Sequence, residues 1–534
     1  MGGNASCCKD GELPDPSDQI CVNVEGPGDC LAGAGQDDPQ PQEVEILDPE
    51  ASPAEGLRRT KSLLHLEVDE EILRGISLSK TLRGLGKLWR HSPSELPTKQ
   101  RETLWRNSNK VVSLHLFVSH TWRTSGRWKV LALLLRTSWT HVILSWALCV
   151  AATTCLYAWE VLPRPMTAVN DVEILGTAVH VRVGPWLMVA HLPSILLGFA
   201  VAPYLARFRS DQCFLDVACI HQTDEKLMER GVYGLGGFLA RSKTLLILWS
   251  KPYFSRLWCV FEIAAYRAAN PEGHLQLAPL FVELTALLLW AVAFCAAVLS
   301  FAVSFVQSPM NQLAWLAIPF ALVPQLLATH FLRRLISQKH RLTEELANFY
   351  VAKAECQLDF DRQFIMTAID AWYGSEKAFN TYVQGPLREE LLSMRSDQIP
   401  SVYFLLFYSI VMTPSLEVFI GMCLDGYPLD VLWARVLAQH IGFSFASQMV
   451  SFKVLIYLCD RFATARFGGS CPVLEGLIDF LQSVVIFVGY LIVDLGSYVC
   501  CARAQQALWS SALYGLSMLC LAAFFHGCCR RRCW

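Results

Sequence analysis

Apolar residues along this 534-residue chain gather into long unbroken blocks, and only short stretches carry the finer patterns of a soluble fold. Eight blocks, at 138–159, 184–206, 284–305, 313–332, 399–424, 429–459, 473–499 and 507–525, are each long enough to cross ~30 Å of hydrocarbon as a helix. Between them lie shorter signals. Residues 111–118, 213–220 and 244–249 are apolar runs bounded by polar or proline punctuation, as expected for buried strands of a parallel sheet, and 127–135 is a helix. A last strand is expected at 275–282. Residues 333–398 are polar with helical spacing and are expected to form a cytosolic helical insert.

Composition supports the membrane reading. The chain is 53% hydrophobic and 17% charged, with mean hydropathy +0.33. A net charge of −2 offers no global field for nucleic acid, and no nucleic-acid partner is expected. Many of the 20 cysteines sit inside apolar runs, where Cys acts as a small hydrophobe. No Cys/His array has zinc spacing, so neither a metal site nor a tightly bound cofactor is expected.

Charge distribution sets the topology. Loops on one side of the eight spans hold fifteen of the flanking Lys and Arg residues, and the opposite loops hold Arg164, Arg182 and Arg503. The positive-inside rule then places both termini in the cytosol; the organelle stays open. Met-Gly-Gly-Asn-Ala-Ser-Cys-Cys at the start fits myristoylation of Gly2 and palmitoylation of Cys7 and Cys8. Residues 10–55 hold thirteen acidic side chains and no basic one, a composition that cannot bury a core, so 1–57 is expected to be a disordered lipidated arm. Residues 58–110 mix basic and apolar positions, as in an amphipathic helical segment on a membrane surface or a plain solvated helix.

The richest local pattern is SKTLLILWSKPYFSRLWCVFEIAAYRA at 242–268. A strand at 244–249 turns through Ser250, Lys251 and Pro252 into a helix that Ser255 can cap. Trp258 and Glu262 stand four apart on one face of that helix, just beyond the strand's carboxyl end, where open α/β sheets bind ligands.

The run S-K followed by Y-F-S-x-x-W-C-x-x-E resembles the Toll/interleukin-1 receptor (TIR) domain, especially its plant and bacterial forms. Phe117-Val118-Ser119-His120 resembles that family's first box, and Phe214-Leu215-Asp216 through Gly231 its second strand and following loop. The resemblance covers about residues 111–124 and 208–282, under a fifth of the chain. It departs from the family in the eighty or so residues between the first helix and second strand. Multi-pass proteins with TIR-like domains in some protist genomes are similar in arrangement.

The resemblance implies a flavodoxin-like α/β fold, and the crevice then lies where the 111–118 and 244–249 strands diverge. Some TIR domains hydrolyse NAD at the ribose–nicotinamide bond with the glutamate matched here by Glu262. One carboxylate suffices, because the anion stabilises an oxocarbenium-like state and nicotinamide leaves as a neutral molecule. Ser119, His120, Ser250 and Trp258 are the implied nucleotide contacts. Other TIR domains only self-associate, so a non-catalytic assembly module is the alternative. The spans raise a third reading, a channel or transporter regulated by the TIR-like domain: Glu417, His440, Lys453 and Asp479 must pair inside the bundle or line a polar path. The expected architecture is a multi-pass α-helical membrane protein of about eight spans. Its cytosolic TIR-like domain (111–137 and 207–282) is interrupted by a membrane hairpin (138–206). Spans at 283–332, the 333–398 insert, spans at 399–526 and a Cys/Arg tail at 527–534 follow. Its partners are the lipid bilayer and other TIR domains.

Overall fold

The computed structural model describes residues 66–205, 211–304, 311–393, 401–463 and 472–532. Gly2, Cys7, Cys8 and the acidic arm lie outside the described residues. The chain divides into two units. The first comprises Met1–Lys129, Ser210–Gln276 and Tyr350–Asn380, and the second Val130–Arg209, Leu277–Phe349 and Thr381–Trp534. Eight strands occur among the described residues: β1 (Arg74–Ser77), β2 (Asn109–Lys110), β3 (Leu114–Ser119), β4 (Met166–Ile174), β5 (Thr177–Val183), β6 (Gln212–Phe214), β7 (Ser242–Ile247) and β8 (His274–Leu277).

The first unit is built on a mixed sheet of order β2-β1-β6-β3-β7-β8. β3 is parallel to β6 on one side and β7 on the other, with Ser119 opposite Ile247 at the carboxyl end. β1 runs antiparallel to β6 and β2. The sheet is central to a dry core: Phe117, Phe214 and Phe238 are at most 1% exposed, and the first two rings stack at 4.5 Å. Because the chain leaves β3 to add β6 on one flank and β7 on the other, a crevice opens beyond the end of β3.

Several expected boundaries move. The unit does not begin at residue 111, because β1 and β2 form its edge. Ile72, Leu73 and Ile76 turn inward, and the Arg74 guanidinium stacks 4.4 Å over Trp105 while bonding Ser108. The basic–apolar mixture at 58–110 had the composition of a surface helix, yet among the described residues Ile72, Leu73, Ile76, Leu82, Trp89 and Leu104 are buried. The strand expected over 213–220 ends at Phe214. Asp216–Cys219 is a helical turn, with Cys219 N–H bonded to Leu215 O, and short buried runs of this kind fit either state. The last strand stops at Leu277; Pro279 begins the turn into a helix at Leu280. Helix 127–135 and the first apolar block fuse into one helix, Gly126–Ala158. The 333–398 insert is divided: its start continues helix Asn311–Ala347, and Tyr350–Asn380 belongs to the first unit.

The second unit is a bundle of helices. Seven are long and apolar enough to cross a membrane: Gly126–Ala158, Trp186–Leu205, Leu280–Ala302, Tyr403–Leu424, Leu429–Arg461, Val473–Ala504 and Leu508–Phe525. That count is of the described residues; the block at 313–332 lies in Asn311–Ala347, and side chains 311–321 fall outside them. Helix Leu429–Arg461 is wound as a π-helix over Val436–Ser447. Between the first two apolar helices, β4 and β5 form a hairpin whose Val179, Val181 and Val183 pack on Met422, Val431 and Ala434.

Several buried polar groups in this unit have partners, although Arg435 Nε, Ser444 Oγ and Ser451 Oγ have none among the described residues. Glu417 accepts hydrogen bonds from Tyr157 Oη and from the Leu187 amide at 3.0 Å, near the start of helix Trp186–Leu205. Arg333 pairs with Asp479 at 2.8 Å and donates to Phe462 O and Gln482. His440 faces Ser415 Oγ at 3.4 Å and Arg435 O at 3.3 Å. These contacts satisfy the demand that buried polar atoms be bonded.

Candidate functional site

The site is built where β3 and β7 end. β3 ends at Ser119, and His120 follows it directly. Helix Leu257–Ala269 follows β7 and carries Trp258, Cys259 and Glu262. Ser255 does not cap it: the N-cap is Arg256, without a side-chain bond, and Ser255 Oγ donates to Pro252 O at 2.8 Å. Two backbone bonds, Leu257 N–H to Glu355 O at 3.0 Å and Glu355 N–H to Ser255 O at 2.7 Å, fasten the helix start to the 350–380 segment. Phe364 and Trp372 of helix Asp359–Tyr373 then pack on Phe261, and Arg123 pairs with Glu355 at 2.6 Å.

Glu262 is at the centre. Ser119 Oγ donates to its carboxyl, and the same hydroxyl is bonded to Tyr253 Oη. Burial pushes the Glu262 carboxyl up to about 8; the Asp216 charge adds to the rise and the Ser119 bond opposes it. Its partly buried side chain lines a cavity of about 170 Å³ together with His120, Trp122, Asp216, Trp258 and Asp361. Burial, then the nearby Lys129 charge, drives His120 down to about 4, so its imidazole is neutral at pH 7. Its edge faces Trp89 and Trp122, with centroids at 5.1 and 4.9 Å. Lys129, 1% exposed, lies 4.7 Å from the Trp122 ring centroid, and its Nζ has no hydrogen-bond partner among the described residues.

The five residues expected at the site separate into three groups. Glu262, His120 and Trp258 line the cavity. Ser119 is fully buried and supports Glu262 from below, so it acts on the carboxyl and not on a ligand. Ser250 bonds Thr124 Oγ1 at 2.6 Å and is not among the lining residues, in keeping with turn chemistry. Sequence reasoning missed Asp216, Trp122, Tyr253 and Asp361. Tyr253 lay inside the quoted motif, but nothing local in the sequence joins Asp361 to it.

The loop glycines have packing duties. A Cβ at Gly237 would come within 2.4 Å of the Glu67 and Val68 backbone, and Asp224 caps helix Glu225–Tyr233 by accepting from Leu227 N–H at 3.0 Å. The cysteines among the described residues are free thiols, and no group of three potential metal ligands occurs among them. An enclosed carboxyl tuned upward beside an indole can stabilise a cation that forms or arrives next to it. No family model, curated protein or solved structure matches this chain.

Proposed function

We propose that the chain is a multi-pass membrane protein of eight spans with both termini cytosolic, whose sheet-bearing unit is TIR-like and hydrolyses NAD at the ribose–nicotinamide bond. The observation that carries the catalytic part is the Tyr253–Ser119–Glu262 chain of hydrogen bonds ending at a cavity beside Trp258. Tyr253 and Ser119 fix the carboxyl, and burial keeps it protonated at rest. The positive nicotinamide ring of an arriving substrate favours the ionised form, which then faces the ribosyl cation as the bond breaks. The membrane part is supported by wide apolar exposure on the long helices. Leu148, Val485, Ile492 and Leu516 are each more than 60% exposed, which lipid tolerates and water does not. Acylation at Gly2, Cys7 and Cys8 would add a second attachment.

The test compares NAD turnover by wild type and Glu262→Gln, both full-length and folded. A fall of ~10²–10³-fold with little change in KM is expected for loss of one transition-state charge. No turnover by wild type under any clustering condition overturns the reading. A non-catalytic assembly module is then the second reading, and one observation favours it: a carboxyl held near 8 is neutral at pH 7 and can serve simply as a core hydrogen-bond partner.

A further inference from the structure

We propose that the cavity recognises only the cationic base and its ribose, holding the positive ring between two indole–carboxylate pairs, so that N-ribosyl pyridinium compounds without a pyrophosphate are substrates as well as the dinucleotide. This rests on the NAD-hydrolase reading and narrows what the site must touch.

The first pair is Trp122, whose Nε1–H donates to Asp216 Oδ2 at 2.7 Å; the second is Trp258, whose Nε1–H donates to Asp361 Oδ2 at 3.2 Å. All four residues line the same cavity. Each indole has one donor, and here it is already committed, so what remains for a ligand is ring surface and carboxylate oxygen. That combination favours a flat cation. Lys129 Nζ lies 4.7 Å from the Trp122 centroid, and the His120 ring packs against the same indole with centroids 4.9 Å apart.

Charge and size point the same way. The lining includes the carboxyls of Asp216, Glu229, Glu262 and Asp361 against a single guanidinium, that of Arg256. Even with Glu262 protonated, the lining gives two phosphates a single guanidinium to pair with. At about 170 Å³ the cavity falls below the ~300 Å³ at which pockets for drug-sized ligands begin, so it suits a ring with its sugar better than a whole dinucleotide. Burial raises the Asp361 carboxyl, and a bound cation would draw it back down.

His120 supplies an independent sign of a missing ligand. Nδ1 faces the Val118 carbonyl at 3.5 Å, and that oxygen can only accept; in the tautomer with the proton on Nδ1, Nε2 carries a lone pair. Nε2 is buried without a hydrogen-bond partner among the described residues, and it stands 3.9 Å from Asp216 Oδ1, another acceptor. Two acceptors facing one another call for a donor between them, such as a ribose hydroxyl or carboxamide N–H. In the reaction the C1′–N bond breaks and its electron pair neutralises the pyridinium nitrogen. Water then adds to C1′ and releases one proton.

The experiment uses full-length protein in detergent. Turnover of nicotinamide riboside is measured beside that of NAD, and binding of the N-methylnicotinamide cation beside that of neutral nicotinamide. The expected result is riboside kcat/KM within ~10-fold of the NAD value, a gap of ~1.4 kcal/mol. The cation should bind at least ~10-fold more tightly than the neutral amide, and Asp361→Asn, which keeps an acceptor for Trp258, should erase most of that preference. NAD turnover with an inert riboside overturns the inference and leaves the hydrolase reading intact. Cation-selective binding without any hydrolysis keeps the recognition mode and removes the hydrolase reading. Equal binding of the two probes to wild type overturns the inference whatever the variant does.

Discussion

Replacing Glu262 with Gln should stabilise the sheet-bearing unit, and more so as pH rises. The Glu262 carboxyl moves from 4.5 to about 8 on folding. Between those values the unfolded chain has released its proton while the folded chain keeps it. This residue's contribution to stability is therefore complete below about 4.5 and is lost as pH climbs through 8. The slope is ~1.4 kcal/mol per pH unit, which sets an upper bound of ~5 kcal/mol. Solvent reaching the partly buried group from the cavity reduces that to ~2–3 kcal/mol. The amide does not titrate and still accepts from Ser119. His120 works in the opposite direction: its value falls from 6.5 to about 4 on folding, so it destabilises as pH drops below 6.5. Lys129, lowered by burial to about 7, also titrates between pH 7 and 8.5, but it is common to both proteins, so the difference between wild type and variant isolates Glu262. Hydrogen exchange of peptides covering β3 and β7, compared between wild type and variant at each pH, reads the difference. A thermal shift of several degrees at pH 8.5 should accompany it, shrinking toward pH 7. A difference that is flat with pH, or that favours wild type more as pH rises, would refute the burial argument for Glu262.

Arg333→Met should destabilise the helical unit by ~1–3 kcal/mol, because it leaves Asp479 with its longer contact to Arg334 at 3.4 Å, and Arg333→Met/Asp479→Leu should recover much of the loss; detergent melting curves check both. A Cβ at Gly126 would lie 1.5 Å from Trp89 O, so Gly126→Ala should cost on the order of 3 kcal/mol and lower the yield of folded protein, read by size-exclusion profile. Tags inserted at 168 and 427 should be shielded from cytosolic reagents and tags near 340 and 465 reachable; a shielded tag near 340 would overturn the eight-span topology.

What was legible in the sequence was what is local. The long apolar blocks coincide with long helices because twenty apolar residues in a row leave few alternatives. Trp258 and Glu262 share a cavity wall because four residues make one helical turn. The strands β3 and β7 followed from short punctuated runs, and their pairing did not. What escaped was non-local. β1 looked like part of a basic surface segment because its four residues are too few to show a period. Asp216 was assigned to a strand because a buried apolar turn and a buried strand have the same composition. Asp361 sits in a segment whose helical spacing gave no hint that Trp258 Nε1 would find its carboxyl. Ser119 was legible as a neighbour of the site, but its full burial beneath Glu262 depends on Tyr253, which only the folded chain brings there.

The way this cavity is pieced together has a consequence for the ribosome. Its walls come from residues near 120, 216, 260 and 361, and apolar blocks are translated in between. From Ser119 to Asp361 the chain grows by 242 residues, which at ~5–20 residues per second takes roughly 12–50 s. Once helix Leu257–Ala269 has been made, a further 103 residues, roughly 5–20 s of synthesis, separate its end from Trp372, and until then its outer face, with Trp258 and Phe261, lacks the aromatic cover that Phe364 and Trp372 provide. A nascent chain arrested before residue 350 would therefore display a bare aromatic patch, a ready target for chaperones, and no binding cavity. Completion of the cavity is a late event in the birth of the molecule, and it cannot come before the apolar helices encoded between its parts have been translated.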